Sequence, residues 1–113
     1  MSKQTIFSEN KSYWTGRASG YSAVNRIELA TPQRKKWSDC LRDEIIQCFP
    51  DRVPESIRVL EVGTGPGFFA ILLCELGYEV TAIDLTPAML SEAKKNAGAQ
   101  ADKIRFIEMN AEA

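Results

Sequence analysis

Val59-Leu60-Glu61-Val62-Gly63-Thr64-Gly65-Pro66-Gly67-Phe68 runs from a β-branched, apolar stretch into three glycines at alternate positions and then into an apolar helical segment. That is the order strand, tight turn, helix. Gly63 and Gly65 let the main chain turn sharply and come close to a ligand, and Gly67 lets the new helix pack closely on the strand. Working outward, Ile57 to Val62 reads as a strand covered on both faces, because its apolar run is nearly continuous. The helix spans Gly67 to Leu76, with Gly77 placed for positive φ at its C-terminus. Tyr78 to Ile83 is a second strand ending at Asp84, Thr86-Pro87 opens a helix that runs to about Ala97 and stops at Gly98, and Ile104 to Met109 is a third strand. Two right-handed βαβ crossovers follow, hence an α/β fold with a parallel sheet in the order 3-2-1.

Upstream, the first twenty residues lack periodicity and read as a loop or short helix docked through Tyr13 and Trp14. A helix follows from Tyr21 to Leu29, with Tyr21, Val24 and Ile27 at spacings of three. Thr31-Pro32 marks an N-cap and first-turn proline, and Trp37, Leu41, Ile45 and Cys48 form the apolar stripe of the clearest amphipathic helix, which Pro50 and Pro54 end. Arg34-Lys35-Lys36 is its solvated face. Residues 1–54 are therefore an N-terminal helical segment, and residues 55–113 are a βαβαβ unit.

The composition narrows the chemistry. With 113 residues, 44% apolar, 26% charged and a net charge of -1, the chain fits one globular unit and not a dedicated nucleic-acid binder. No run approaches the ~20 apolar residues of a membrane span, and no secretory signal opens the chain, which places it in the cytoplasm. The absence of histidine removes the commonest general base and the usual zinc sets, so no metal site and no catalytic side chain is assigned. Cys40, Cys48 and Cys74 form no CxxC pair and read as small core residues.

Asp84, at the end of the second strand, stands where a carboxylate can accept bonds from both hydroxyls of an adenosine ribose. A dinucleotide turn reads GxGxxG and aims a helix N-terminus at pyrophosphate; here the spacing is GxGxG with Glu61 in the preceding strand. A carboxylate there suits a cation better. S-adenosylmethionine carries adenosine, a positive sulfonium and a positive amino group without phosphate, so Glu61 and Asp84 both complement it.

Glu61-Val-Gly-Thr-Gly-Pro-Gly67, Asp84-Leu-Thr-Pro-Ala-Met-Leu90 and Ile107-Glu-Met-Asn-Ala111 together resemble the class I S-adenosylmethionine-dependent methyltransferases, in the small-molecule branch similar to ubiquinone and menaquinone biosynthesis enzymes. The resemblance covers residues 57–113. It implies a Rossmann-like methyltransferase half-fold in which Gly63, Thr64, Gly65 and Gly67 line the methionine portion and ribose. Asp84 would hold the ribose hydroxyls, Leu85 and Met89 would flank the adenine, and Asn110 and Ala111 would meet its edge. Many members have Asp where this chain has Asn110, so that bond loses its charge assistance. Tyr13, Trp14 and Tyr21 read first as aromatics pinning the N-terminal segment to the core; the resemblance implies as the alternative that residues 1–54 form a lid in which they close over the ligand and Arg17 meets the methionine carboxylate.

At ~30 residues per βα unit, a seven-stranded sheet needs on the order of 200 residues, so the sheet here is incomplete and the expectation is a truncated cofactor-binding half, inactive alone. Left unpaired, the first strand is an apolar edge prone to self-association. The expected acceptor is a small molecule. Two competing functions are an NAD(P)-binding dehydrogenase-type domain and a non-catalytic assembly module.

Overall fold

The computed structural model describes residues 3–111. Helices α1 (Lys3–Leu29) and α2 (Gln33–Cys48) precede β1 (Arg58–Val62), α3 (Phe68–Glu75), β2 (Glu79–Asp84), α4 (Pro87–Ala97) and β3 (Ile104–Glu108). The strands are parallel in the order β1-β2-β3, which is the expected 3-2-1 sheet read from its other side. Register sets Val59, Val80 and Ile104 in one row and Glu61, Ala82 and Phe106 in another on the same face. Ala70, Ile71, Leu73 and Cys74 of α3 and Ala97 of α4 complete the core against that face.

Two glycines show why the turn is built as it is. Gly67 takes φ 92° as the N-cap of α3. A Cβ on it would stand 3.0 Å from Cβ of Ala93, so its smallness serves the contact of α3 with α4, not with the strand. Gly77 takes φ 96° where α3 ends, as its position in the sequence predicts.

Several expectations change. The N-terminal loop and short helix are one continuous helix, Lys3–Leu29. Its buried stripe is Ala18, Ser22 and Asn25, small or polar residues that approach α4 closely, while Tyr21, Val24 and Ile27 stay exposed. Thr31 does not cap α2; its hydroxyl donates to the Glu28 carbonyl at the end of α1, and Pro32 takes the N-cap place. In α2, Leu41 and Ile45 pack on the core, but Cys40 and Cys48 are exposed, so only Cys74 is a core cysteine. Arg34 is not merely solvated, since it pairs with Glu75 of α3. Strand β1 is covered on one face only: Leu60 and Val62 are 61% and 56% exposed. Its apolar run reflects a face that no described element shields.

Gly67→Ala is expected to cost about 2 to 4 kcal/mol in urea unfolding, from the left-handed backbone and the clash with Ala93 together. Gly63→Ala, with nothing within 4 Å of its added methyl, should lose only about 1 to 2 kcal/mol. Equal losses would show that the α3–α4 contact is not what fixes Gly67.

Candidate functional site

The carboxyl ends of the three strands open into a cavity of about 710 Å³. Its floor is the glycine turn, residues 63–66, flanked by Asp84, Leu85, Thr86 and Met89 from β2 and α4 and by residues 109–111 after β3. Helix α1 lays Trp14, Tyr21, Val24, Asn25 and Glu28 along one side, and Trp37, Phe68 and Phe69 close another. Nine of the ten residues singled out in the sequence line this one cavity: Glu61, Gly63, Thr64, Gly65, Asp84, Leu85, Met89, Asn110 and Ala111. Gly67 does not, because it lies against Ala93.

The turn has used its own donors. The amides of Gly63 and Thr64 both bond the Ile83 carbonyl, at 2.9 and 3.0 Å, and that of Gly67 bonds the Thr64 carbonyl. The Gly65 amide donates to Asp84 Oδ2 and the Thr86 amide to Asp84 Oδ1, each at 2.9 Å. Asp84 therefore ties the glycine turn to the start of α4, while each oxygen keeps acceptor capacity for a ligand.

Glu61 points to the helix-covered face of the sheet, beside fully buried Ala82. Its carboxylate accepts from the Thr64 hydroxyl at 2.9 Å and from the Ala70 amide in the first turn of α3. The place where a helix N-terminus attracts an anion is thus filled from within. Burial pushes the Glu61 carboxyl up to about 7; the Thr64 and Ala70 bonds oppose that, and the charge of Asp84 adds to it.

Sequence reading missed Asn96 and Asn25. Asn96 Nδ2 donates to the Pro66 carbonyl and to Ser22 Oγ, both at 3.0 Å, joining α4 to the glycine turn and to α1. No motif marks it; only the fold brings Ser22 and Asn96 together. Asn25 is buried, and its Nδ2 has no partner among the described residues, nor has the hydroxyl of buried Thr86. Trp14 and Tyr21 do border the cavity, with ring centroids 5.4 Å apart. Arg17 does not, since its guanidinium lies 4.9 Å from the centre of the Tyr13 ring. Among the described residues no group of His, Cys, Asp or Glu is arranged to hold a metal ion, and no helix is long and apolar enough to cross a membrane.

Residues 59–113 match the family model of a methyltransferase domain. That stretch, just under half of the chain, is similar to methyltransferase domains. It is 32% identical over 93 residues to a demethylmenaquinone methyltransferase of Thermus thermophilus, an alignment covering 80% of this chain and 39% of that one. It is 38% identical over 74 residues to a tRNA 5-carboxymethoxyuridine methyltransferase of Escherichia coli, covering 59% of this chain and 28% of that one. The fold matches the solved DhpI–SAH complex with a TM-score of 0.60 at 21% identity, over 96% of this chain and 47% of that one. The chain spans less than half the length of these proteins.

The Glu61 proton is held more tightly folded than unfolded, so Glu61 makes stability fall as pH rises from about 4.5 to about 7. Glu61→Gln should remove that contribution, changing the stability difference from wild type by up to about 3 kcal/mol across the window. Urea unfolding at several pH values measures it, and parallel curves for the two proteins would refute it.

Proposed function

We propose that the protein to which this chain belongs transfers a methyl group from S-adenosylmethionine to a small-molecule acceptor, and that this chain supplies the cofactor site. One observation carries the reading. The amides that would cradle a pyrophosphate are bonded within the chain, and the helix N-terminus is already occupied by a carboxylate. A dinucleotide finds neither donors nor a welcoming charge there. A sulfonium with an adenosine finds both bare main chain and acceptors.

The fit extends to shape. A side chain at Gly63 or Gly65 would project into open space where the cavity lies, so the main chain meets the ligand unshielded. When bound, S-adenosylmethionine supplies a methyl group already activated on a positive sulfur. The residues around it then bind and orient. Thr64 holds Glu61, which complements the positive charge, and Gly63 and Gly65 lie under the methionine portion and the ribose. Asp84, held by the Gly65 and Thr86 amides, accepts from the ribose hydroxyls. Leu85 and Met89 flank the adenine, and Asn110 and Ala111 meet its edge. Gly67 acts by packing alone. Residues 1–54 serve as the lid, with Trp14 and Tyr21 of α1 keeping water from the reacting atoms.

A small-molecule acceptor is supported by the demethylmenaquinone methyltransferase relatives and by the absence of Lys and Arg among the described cavity residues. The exposed, unpaired cysteines Cys40 and Cys48 support a reducing, cytoplasmic setting. The open side of β1, with Leu60 and Val62 exposed, supports self-association through that strand.

Calorimetric titration with S-adenosylhomocysteine should show saturable binding, weakened at least about tenfold by Asp84→Ala through the loss of charge-assisted bonds. NADH should not bind. Saturable NADH binding without S-adenosylhomocysteine binding would replace this function with the dehydrogenase one. In sedimentation at rising concentration, association of the wild-type chain should be suppressed by Leu60→Lys; a wild-type chain monomeric throughout would exclude pairing through β1.

A further inference from the structure

We propose that the cavity contains a second subsite, for a protonated organic amine, built from the rings of Trp14, Tyr21 and Trp37 and the carboxylate of Glu28. It rests on reading the cavity as a methyl-transfer site, since it names the class of acceptor that site takes. Trp14, Tyr21, Asn25 and Glu28 follow one another at spacings of seven, four and three, which places them on one face of α1, and all four line the cavity.

Three large aromatic residues remain 38 to 43% exposed at this cleft. Exposed rings gathered around a concavity mark a surface that a ligand covers. Trp14 and Tyr21 meet at 56°, forming a corner, and Trp37 stands edge-on to Phe69. The faces of such rings attract cations.

Glu28 sets the charge. It lies in the last turn of α1, where the helix dipole disfavours a carboxylate. Among the described residues its side chain has neither a hydrogen bond nor an ion pair. The nearby arginines are committed elsewhere, Arg26 to Glu92 and Arg34 to Glu75. The described charged residues of the cavity are Glu28, Glu61 and Asp84, all acidic. Glu61 and Asp84 answer the cofactor, and Glu28 is left over. Asn25, one turn before Glu28 and 4% exposed, carries an Nδ2 with no acceptor. A buried donor of this kind is satisfied by a ligand oxygen. The occupant is therefore a small aromatic or aliphatic amine that also bears a hydroxyl or carbonyl. The cavity, at about 710 Å³, lies in the upper part of the usual range for small-molecule sites of about 300 to 1,000 Å³.

The chain's two tryptophans, Trp14 and Trp37, both line the cavity, so their fluorescence reports its occupancy. The full chain, with S-adenosylhomocysteine present and its binding followed separately by calorimetry, is titrated with three probes sharing a phenol ring: tyramine, tyrosol and 4-hydroxyphenylacetate. Tyramine should quench saturably, tyrosol should bind about tenfold more weakly, and the carboxylate should bind more weakly still. Glu28→Gln should bring tyramine and tyrosol to within about twofold of each other, and Tyr21→Leu, at a half-exposed position, should weaken tyramine severalfold. Circular dichroism melting of each variant verifies its fold, and either variant suffices for the test. Binding of S-adenosylhomocysteine with equal affinity for tyramine and tyrosol, or with no tyramine binding, overturns the subsite and leaves the methyl-transfer reading intact. Failure of S-adenosylhomocysteine itself to bind overturns that reading instead.

Discussion

A carboxylate fills the anion site of this fold from inside. Glu61 leaves the middle of β1 on the helix-covered face and takes the Thr64 hydroxyl and the Ala70 amide, bracing the glycine turn against the first turn of α3. Its partners would otherwise be the donors that draw a phosphate to a strand–turn–helix junction. With them satisfied, the cavity offers a phosphate little welcome, and its described ionisable acids and bases are the acidic Glu28, Glu61 and Asp84. The same glycine-rich architecture that elsewhere receives a dinucleotide is thereby turned toward a cation. Burial works against the charge on Glu61 and raises its proton affinity.

Small residues do the remaining assembly. Gly67 against Ala93 lets α3 and α4 approach, and Ala18 and Ser22 let α1 lie close on α4. These contacts decide where the cavity walls stand. Large side chains are then left for the cavity itself, which explains why Trp14, Tyr21 and Trp37 are half-exposed although the chain has an ordinary apolar fraction.

The sheet and the floor of the site were legible in the sequence because their signals are local. Glycines with positive φ, a proline opening α4 and Asp84 closing β2 each fix the chain within a few residues. The parallel order followed from the alternation of strand and helix. The N-terminal region was not legible in this way. Periodicity looks for large apolar residues, and Tyr21, Val24 and Ile27 supplied a stripe that stays exposed, the first two along the cavity, while the interface with α4 runs through Ala18, Ser22 and Asn25. Gly16 and Gly20 lie inside α1, and packing against α4 offsets their low helix propensity. Cys40 and Cys48 misled similarly, since a helix of mixed character does not say which of its small residues turn inward. The site's polar joints, such as Asn96, are invisible until the fold brings distant segments together.

The bonds of Asn96 to Ser22 and to the Pro66 carbonyl pin one wall of the cavity to its floor. A wall so fastened does not swing away at that end. Elsewhere along the cavity the lining includes Val62 and Met109, whose apolar side chains are 56% and 49% exposed. The lining thus sets greasy surface beside acidic side chains, a combination suited to a guest with both a hydrophobic body and a positive charge.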